Sequence, residues 1–126
     1  GTHDFANGGN SFKIALYTSN PYSTSSTAYV TTNEVSASNT GYTTGGKVLA
    51  SQAVASGTAV ASVDFADSAL ASATFTAAFA AIYNDTNADK LCVVLDFGGN
   101  KTATNGTFTI SFPDPSTPAN AIISMA

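Results

Sequence analysis

The stretch that decides the fold is residues 77–99, AAFAAIYNDTNADKLCVVLDFGG, where two apolar runs flank a short polar connection. Ala80-Ala81-Ile82-Tyr83 and Leu91-Cys92-Val93-Val94-Leu95 are near-continuous apolar runs, the pattern of strands covered on both faces. Between them, Asn84-Asp85-Thr86-Asn87-Ala88-Asp89 supplies side chains that bond their own backbone and tolerate left-handed conformations, so the chain reverses there. The stretch therefore reads as a β-hairpin in the middle of a sheet. Residues 77–81 are alanine-rich enough for a helix on propensity alone, but the β-branched and aromatic neighbours favour strand.

Working outward, residues 12–18, FKIALYT, alternate as a first strand, with Phe12, Ile14 and Leu16 on one face and Lys13, Ala15 and Tyr17 on the other. Residues 19–27 are broken by Pro21 and read as loop. Residues 29–35 are expected to form a short edge strand, and residues 36–46, SASNTGYTTGG, a long loop around Tyr42. A loop of that length in a small chain is usually functional or ordered by a partner. Residues 47–55 and 58–65, separated by Ser56-Gly57, predict a second hairpin. Residues 67–70 read as a break before the strand that starts at Ala71, and residues 98–106, GGNKTATNG, as a loop. Residues 107–112 alternate with Phe108, Ile110 and Phe112 inward, and residues 121–125 form a closing strand after three prolines.

These elements predict an all-β chain: a single-domain β-sandwich or barrel of about eight short, mostly antiparallel strands with long Gly/Ser/Thr loops. The domain is expected over residues 11–126, preceded by an N-terminal arm, residues 1–10, anchored by Phe5.

Composition narrows the function classes. The chain has four Lys, no Arg, eight acidic residues and a formal net charge of −4. The phosphate backbone of a nucleic acid needs clustered cations, and Lys13, Lys47, Lys90 and Lys101 are scattered, so neither nucleic acid nor an anionic membrane is an expected partner. No apolar run approaches the roughly 18 residues of a membrane span. So little charge beside 44% hydrophobic residues suits a chain packed against neighbours, although a threonine-rich surface also follows from strand content alone.

Candidate chemistry is sparse. His3, the only histidine, lies in the arm, and Cys92, the only cysteine, sits in an apolar run and reads as a buried small hydrophobe. Neither a nucleophilic triad nor a zinc site can be assembled from them. Asp85, Asn87 and Asp89 match the first half of a calcium loop, with Asp96 at the twelfth position. Lys90 stands where that loop requires Gly, however, and Leu91–Leu95 reads as strand, so an ordinary turn is expected, with no metal and no cofactor. Asp64, Asp67 and Asp96 are the remaining carboxylates near apolar strands, and sequence alone brings no two of them together.

Glu34-Val35 is followed by Gly41-Tyr42-Thr43-Thr44-Gly45-Gly46, then by Ala81-Ile82-Tyr83-Asn84-Asp85, Leu95-Asp96-Phe97-Gly98-Gly99, and Asn105-Gly106-Thr107-Phe108-Thr109-Ile110. In order and spacing these motifs resemble a family of small virion structural proteins of tailed bacteriophages. The similarity runs from Phe12 to Met125, and relatives usually carry a short segment before residue 1, which fits the missing initiator Met. Leu70 stands where many relatives carry Trp, and Ala77-Ala78-Phe79 replaces a stretch that often contains Arg, which puts a shared contact surface there in doubt.

The resemblance implies a virus particle and a structural, non-enzymatic role. Within it the expectation is a capsid decoration (cement) protein on the outer surface of the head, bound to the major capsid protein shell as a homo-oligomer, dimer or trimer. The alternatives are a tail or fibre component with a carbohydrate-binding role at the host surface and, last, a hydrolase built on paired aspartates. Partner contacts are expected from the arm through Phe5 and from the loop through Asn39, Gly41, Tyr42, Gly45 and Gly46, because glycine-rich segments can order on a partner. On that expectation Gly41→Val weakens attachment and leaves the domain folded.

Overall fold

The structure is a computed structural model that describes residues 9–39, 41–50, 53–56, 61–64, 68–111 and 124–125. Among these residues there is no helix, and seven strands are present: β1 (Phe12–Tyr17), β2 (Lys47–Val48), β3 (Ala53–Ser56), β4 (Ala61–Asp64), β5 (Ser68–Asn84), β6 (Lys90–Ser111) and β7 (Ser124–Met125). Five form one antiparallel sheet in the order β2-β1-β5-β6-β7, and β3 and β4 pair separately. The chain is thus all-β and antiparallel.

The hairpin expected from residues 77–99 is the spine of the sheet. β5 and β6 pair from Asn84↔Lys90 beside the turn to Ser68↔Ile110 at the far end. The side chain of buried Asn84 makes the turn by accepting hydrogen bonds from Thr86 N and Asn87 N, each at 3.1 Å. Ala88 and Asp89 then take left-handed conformations with φ of 54° each, which closes the reversal.

β1 lies on the other side of β5, from Phe12↔Asn84 to Tyr17↔Phe79, and its alternation sorts the core in two. Phe12, Ile14 and Leu16 join Phe75, Ala80, Ile82, Phe108 and Ile110 on one face, while Ala15 and Tyr17 join Ala81 and Tyr83 on the other. Both faces of β1 and of the 80–83 run are buried, as expected.

Four expectations need correction. Residues 98–106 are not a loop: β6 runs through them, because Lys101, Thr102, Ala103 and Gly106 keep pairing with β5. The surplus residues are absorbed at register shifts where Gly98, Gly99 and Asn105 have positive φ (79°, 151° and 48°). Of residues 67–70, expected as a break, Asp67 lies outside the described residues and 68–70 belong to β5, which begins at Ser68 and has its bulge at Ser72, with φ of 51°. Residues 29–35 form no strand, only an isolated bridge from Glu34 to Tyr17, because Asn33 turns the backbone at φ 61° and Tyr29 folds inward. Finally, the 91–95 run is only half-covered: Val93 is 37% exposed and its neighbours are half-buried. The second predicted hairpin exists as β3 and β4, but Lys47 and Val48 leave it to pair with β1. Phe112 lies outside the described residues.

Ala88 is exposed and held in a conformation that L-residues adopt at a cost of about 1–2 kcal/mol and glycine adopts freely. Ala88→Gly should therefore stabilise the hairpin by about 0.5–1 kcal/mol, the strain relief less the extra chain entropy of glycine. A higher urea midpoint with an unchanged slope is the expected result; a lower midpoint would show that the turn is not strained at Ala88.

Candidate partner-binding surface

The loop expected to meet a partner, residues 36–46, belongs to a longer segment that is first of all the device that finishes β1. Residues 18–46, of which all but residue 40 are described, contain no strand and run along the outer edge of β1. That edge carries backbone groups that need partners. Thr18 N donates to Asn33 O and Val35 N to Leu16 O, both at 2.9 Å, while Ile14 and Lys13 pair with β2 and Leu49 N reaches Phe12 O at 2.8 Å. The same segment covers both faces of the sheet, with Val35 and Tyr42 on one and Tyr22 and Tyr29 on the other.

Its attachments converge on Glu34, the only glutamate in the chain. Tyr29 Oη donates to Glu34 Oε1 at 2.5 Å, and Tyr42 Oη and Gly45 N donate to Oε2 at 2.5 and 2.8 Å. Short O–H···O⁻ bonds of this kind are the strong, charge-assisted sort. Tyr42 Oη also accepts from Leu16 N at 3.0 Å, so a single hydroxyl ties β1 to the carboxylate. Tyr83 Oη donates to Gly45 O at 2.6 Å, and the Tyr83 ring stacks on Tyr29 with centroids 4.6 Å apart. Tyr17 and Tyr22 meet at 2.6 Å between hydroxyls, and Tyr17 Oη donates to Val30 O. All five tyrosines of the chain are used in this way.

Burial is the main cause that pushes the Tyr17, Tyr29, Tyr42 and Tyr83 phenols above the ordinary tyrosine range. Next come the bond to Tyr22 for Tyr17, the bond to Glu34 for Tyr29 and Tyr42, and the charge of Asp89 for Tyr83.

This geometry gives most of the expected contact residues a role within the fold. Tyr42 is buried. Gly41, Gly45 and Gly46 have φ of 87°, 94° and 84°, and two of them approach backbone closely. A Cβ on Gly41 would stand 2.8 Å from Ala73 Cα, and one on Gly46 would stand 1.9 Å from Ile14 O. These glycines are therefore required by the fold, and Gly41→Val is not a change that leaves the domain intact. Asn39 is the one described residue of the expected set that is exposed and outside these constraints; its N–H closes a turn to Ser36 O at 3.0 Å at an exposed tip, residues 36–39. Phe5 lies outside the described residues, as do His3 and Asp67.

The other candidates stand apart. Asp85 faces Lys13 at 3.5 Å, while Asp96 sits well along β6 opposite Phe79 and accepts from Gly98 N at 2.8 Å. Among the described residues no three of His, Cys, Asp or Glu gather where they could hold a metal ion. Cys92 is half-buried rather than fully buried, and burial pushes its thiol up to about 11. Sequence reasoning gave Glu34 no role; the available signal was a lone glutamate among loop tyrosines. No protein-family model, curated protein or solved structure matches the chain.

Because the folded phenols hold their protons more tightly than the unfolded ones, their contribution to stability is complete below the unfolded value of about 10 and is lost as pH rises above it. Denaturant midpoints should be flat up to about pH 10 and fall beyond it. In parallel, the 295 nm absorbance of Tyr17, Tyr29, Tyr42 and Tyr83 should rise only as the strand signal disappears. Free titration of these phenols in a chain that stays folded would contradict the packing described.

Proposed function

We propose that the chain is a non-enzymatic bacteriophage virion structural protein, a capsid decoration protein that binds the outer face of the major capsid protein shell and stabilises it by adhesion without turnover. The reading rests on the ordered motif resemblance, and the observation that best supports it is the exposed polar tip at residues 36–39 carried on a tightly built strap. A cement protein needs a rigid platform with a small presented surface, because buried area at each subunit junction stabilises the assembly only if little ordering is required on binding. We propose further that residues 11–126 close into one sandwich or barrel of about eight strands, with residues 1–10 as an arm that adds contacts.

A carbohydrate-binding role would draw on the loop tyrosines as stacking platforms and on the Asp85–Asp89 turn. Tyr42 is buried, and Tyr22 and Tyr29 are half-buried against Tyr17 and Tyr83, so these rings are already engaged. That favours the shell over the tail.

Electron cryomicroscopy of the particle that carries the chain tests the reading: ordered copies at capsid subunit junctions support it, and density confined to the tail or a fibre tip overturns it. Two variants separate contact from folding. Asn39→Ala should leave the thermal midpoint unchanged and lower occupancy on the shell. Gly41→Val should cost at least about 2 kcal/mol of stability, from left-handed strain plus overpacking against Ala73, before any effect on attachment is read.

A further inference from the structure

We infer that residues 33–46 form a strap that opens as one unit, latched at Glu34, while the β1–β5–β6 sheet stays paired. This inference is independent of the virion reading and concerns the chain alone. The strap has no strand of its own, and its hold on the sheet consists of a few separated points: Thr18 N on Asn33 O, Val35 N on Leu16 O, Leu16 N on Tyr42 Oη, and Tyr83 Oη on Gly45 O. Two of these four run through groups that Glu34 itself holds, since its carboxylate takes Tyr42 Oη and Gly45 N on one oxygen and Tyr29 Oη on the other.

The rings on the two faces are joined through the same carboxylate. Tyr42 packs beside Phe75 in one core cluster, at 5.8 Å between centroids, and Tyr29 stacks on Tyr83 in the other. Releasing Glu34 therefore uncouples the strap from the rings on both faces of the sheet together, while residues 27–30 stay fastened by Leu91 N on Thr27 O, Tyr29 N on Asp89 O and Tyr17 Oη on Val30 O. By contrast, β5 and β6 are paired along their length and do not touch Glu34, so they keep their ladder. The open state presents the outer edge of β1, with Leu16 N–H, Leu16 C=O and Thr18 N–H released, which is the backbone chemistry that pairs with an extended strand.

Amide hydrogen exchange on the full chain tests this, comparing wild type with Glu34→Gln and Tyr29→Phe. The informative amides are Thr18 and Val35, because their acceptors, Asn33 O and Leu16 O, are main-chain atoms that neither substitution removes. In both variants these two amides should exchange about tenfold faster or more, together with Leu16 and to a common rate, while Ile82 and Val94 keep their wild-type protection. Unchanged Thr18 and Val35 amides would show that the strap is held piecewise. An equal rise at Ile82 and Val94 would show that it cannot open apart from the core. Either result overturns the inference, and Tyr29→Phe supplies the comparison should Glu34→Gln fail to fold.

Discussion

The outer edge of β1 is the constraint on which the rest of the structure depends. β1 is six residues long and pairs fully with β5, yet on its other side only Lys13 and Ile14 meet a strand. Buried backbone groups left without partners cost about as much as a lost hydrogen bond each, so the remaining groups must be satisfied by something irregular. The strap does this with the main chain of Asn33 and Val35 and with the hydroxyl of Tyr42, which the Glu34 carboxylate holds in place. Tyrosine suits the task because its ring adds apolar area to a core face while its hydroxyl still reaches a polar partner. A carboxylate suits it because it accepts from several donors at once, here Tyr29, Tyr42 and Gly45.

A second constraint is met by bulges. A regular strand sends alternate residues to opposite faces, whereas β5 must serve two core clusters along a single ribbon. The register shift between Ala77 and Phe79 lets Ala77 and Ala80 face one cluster while Phe79 packs against the other. Small residues at Ala80 and Ala81, both fully buried, let the rings of the strap and of Tyr83 settle close to the sheet. The glycine pair opposite this shift serves a different purpose from the strap glycines. Nothing lies within 4 Å of a Cβ placed on Gly98 or Gly99, so backbone conformation rather than close packing explains those two.

The fold was legible in the sequence where pattern and propensity agreed. The central hairpin, the two-faced alternation of residues 12–17, the inward Phe108 and Ile110, and the all-antiparallel class follow from apolar periodicity and turn residues. It was misread where glycine and asparagine were taken to end a strand. At Gly98, Gly99 and Asn105 they bend one instead, and only the partner strand across the ladder distinguishes the two cases. Residues 29–35 have strand-like composition, but the edge they were expected to extend is met by a bridge at Glu34 and by side chains turned inward. The loop expected to meet a partner was legible as a loop, and its fastening to the sheet was not. A glycine-rich loop around a tyrosine looks the same whether it waits for a partner or is fastened to its own sheet, because the pattern does not show the backbone of Ile14 and Ala73 close against Gly46 and Gly41.

What the strap leaves outside bears on how this molecule can recognise anything. With its tyrosines committed inward, the exposed side chains described in residues 18–46 are those of Ser, Thr and Asn, with Val30 and Ala37. These side chains are short and carry no charge. Charged patches accelerate encounter and make binding sensitive to salt, and such a surface provides neither effect. Its contacts must come from shape and from many modest hydrogen bonds, each worth about 0.5–1.5 kcal/mol net. Binding of that kind is weak for one isolated copy and becomes durable when many copies are attached to a repeating surface, because linked sites multiply avidity without new contacts. The virion reading proposed above sets such loops against a repeating shell rather than against a single high-affinity receptor.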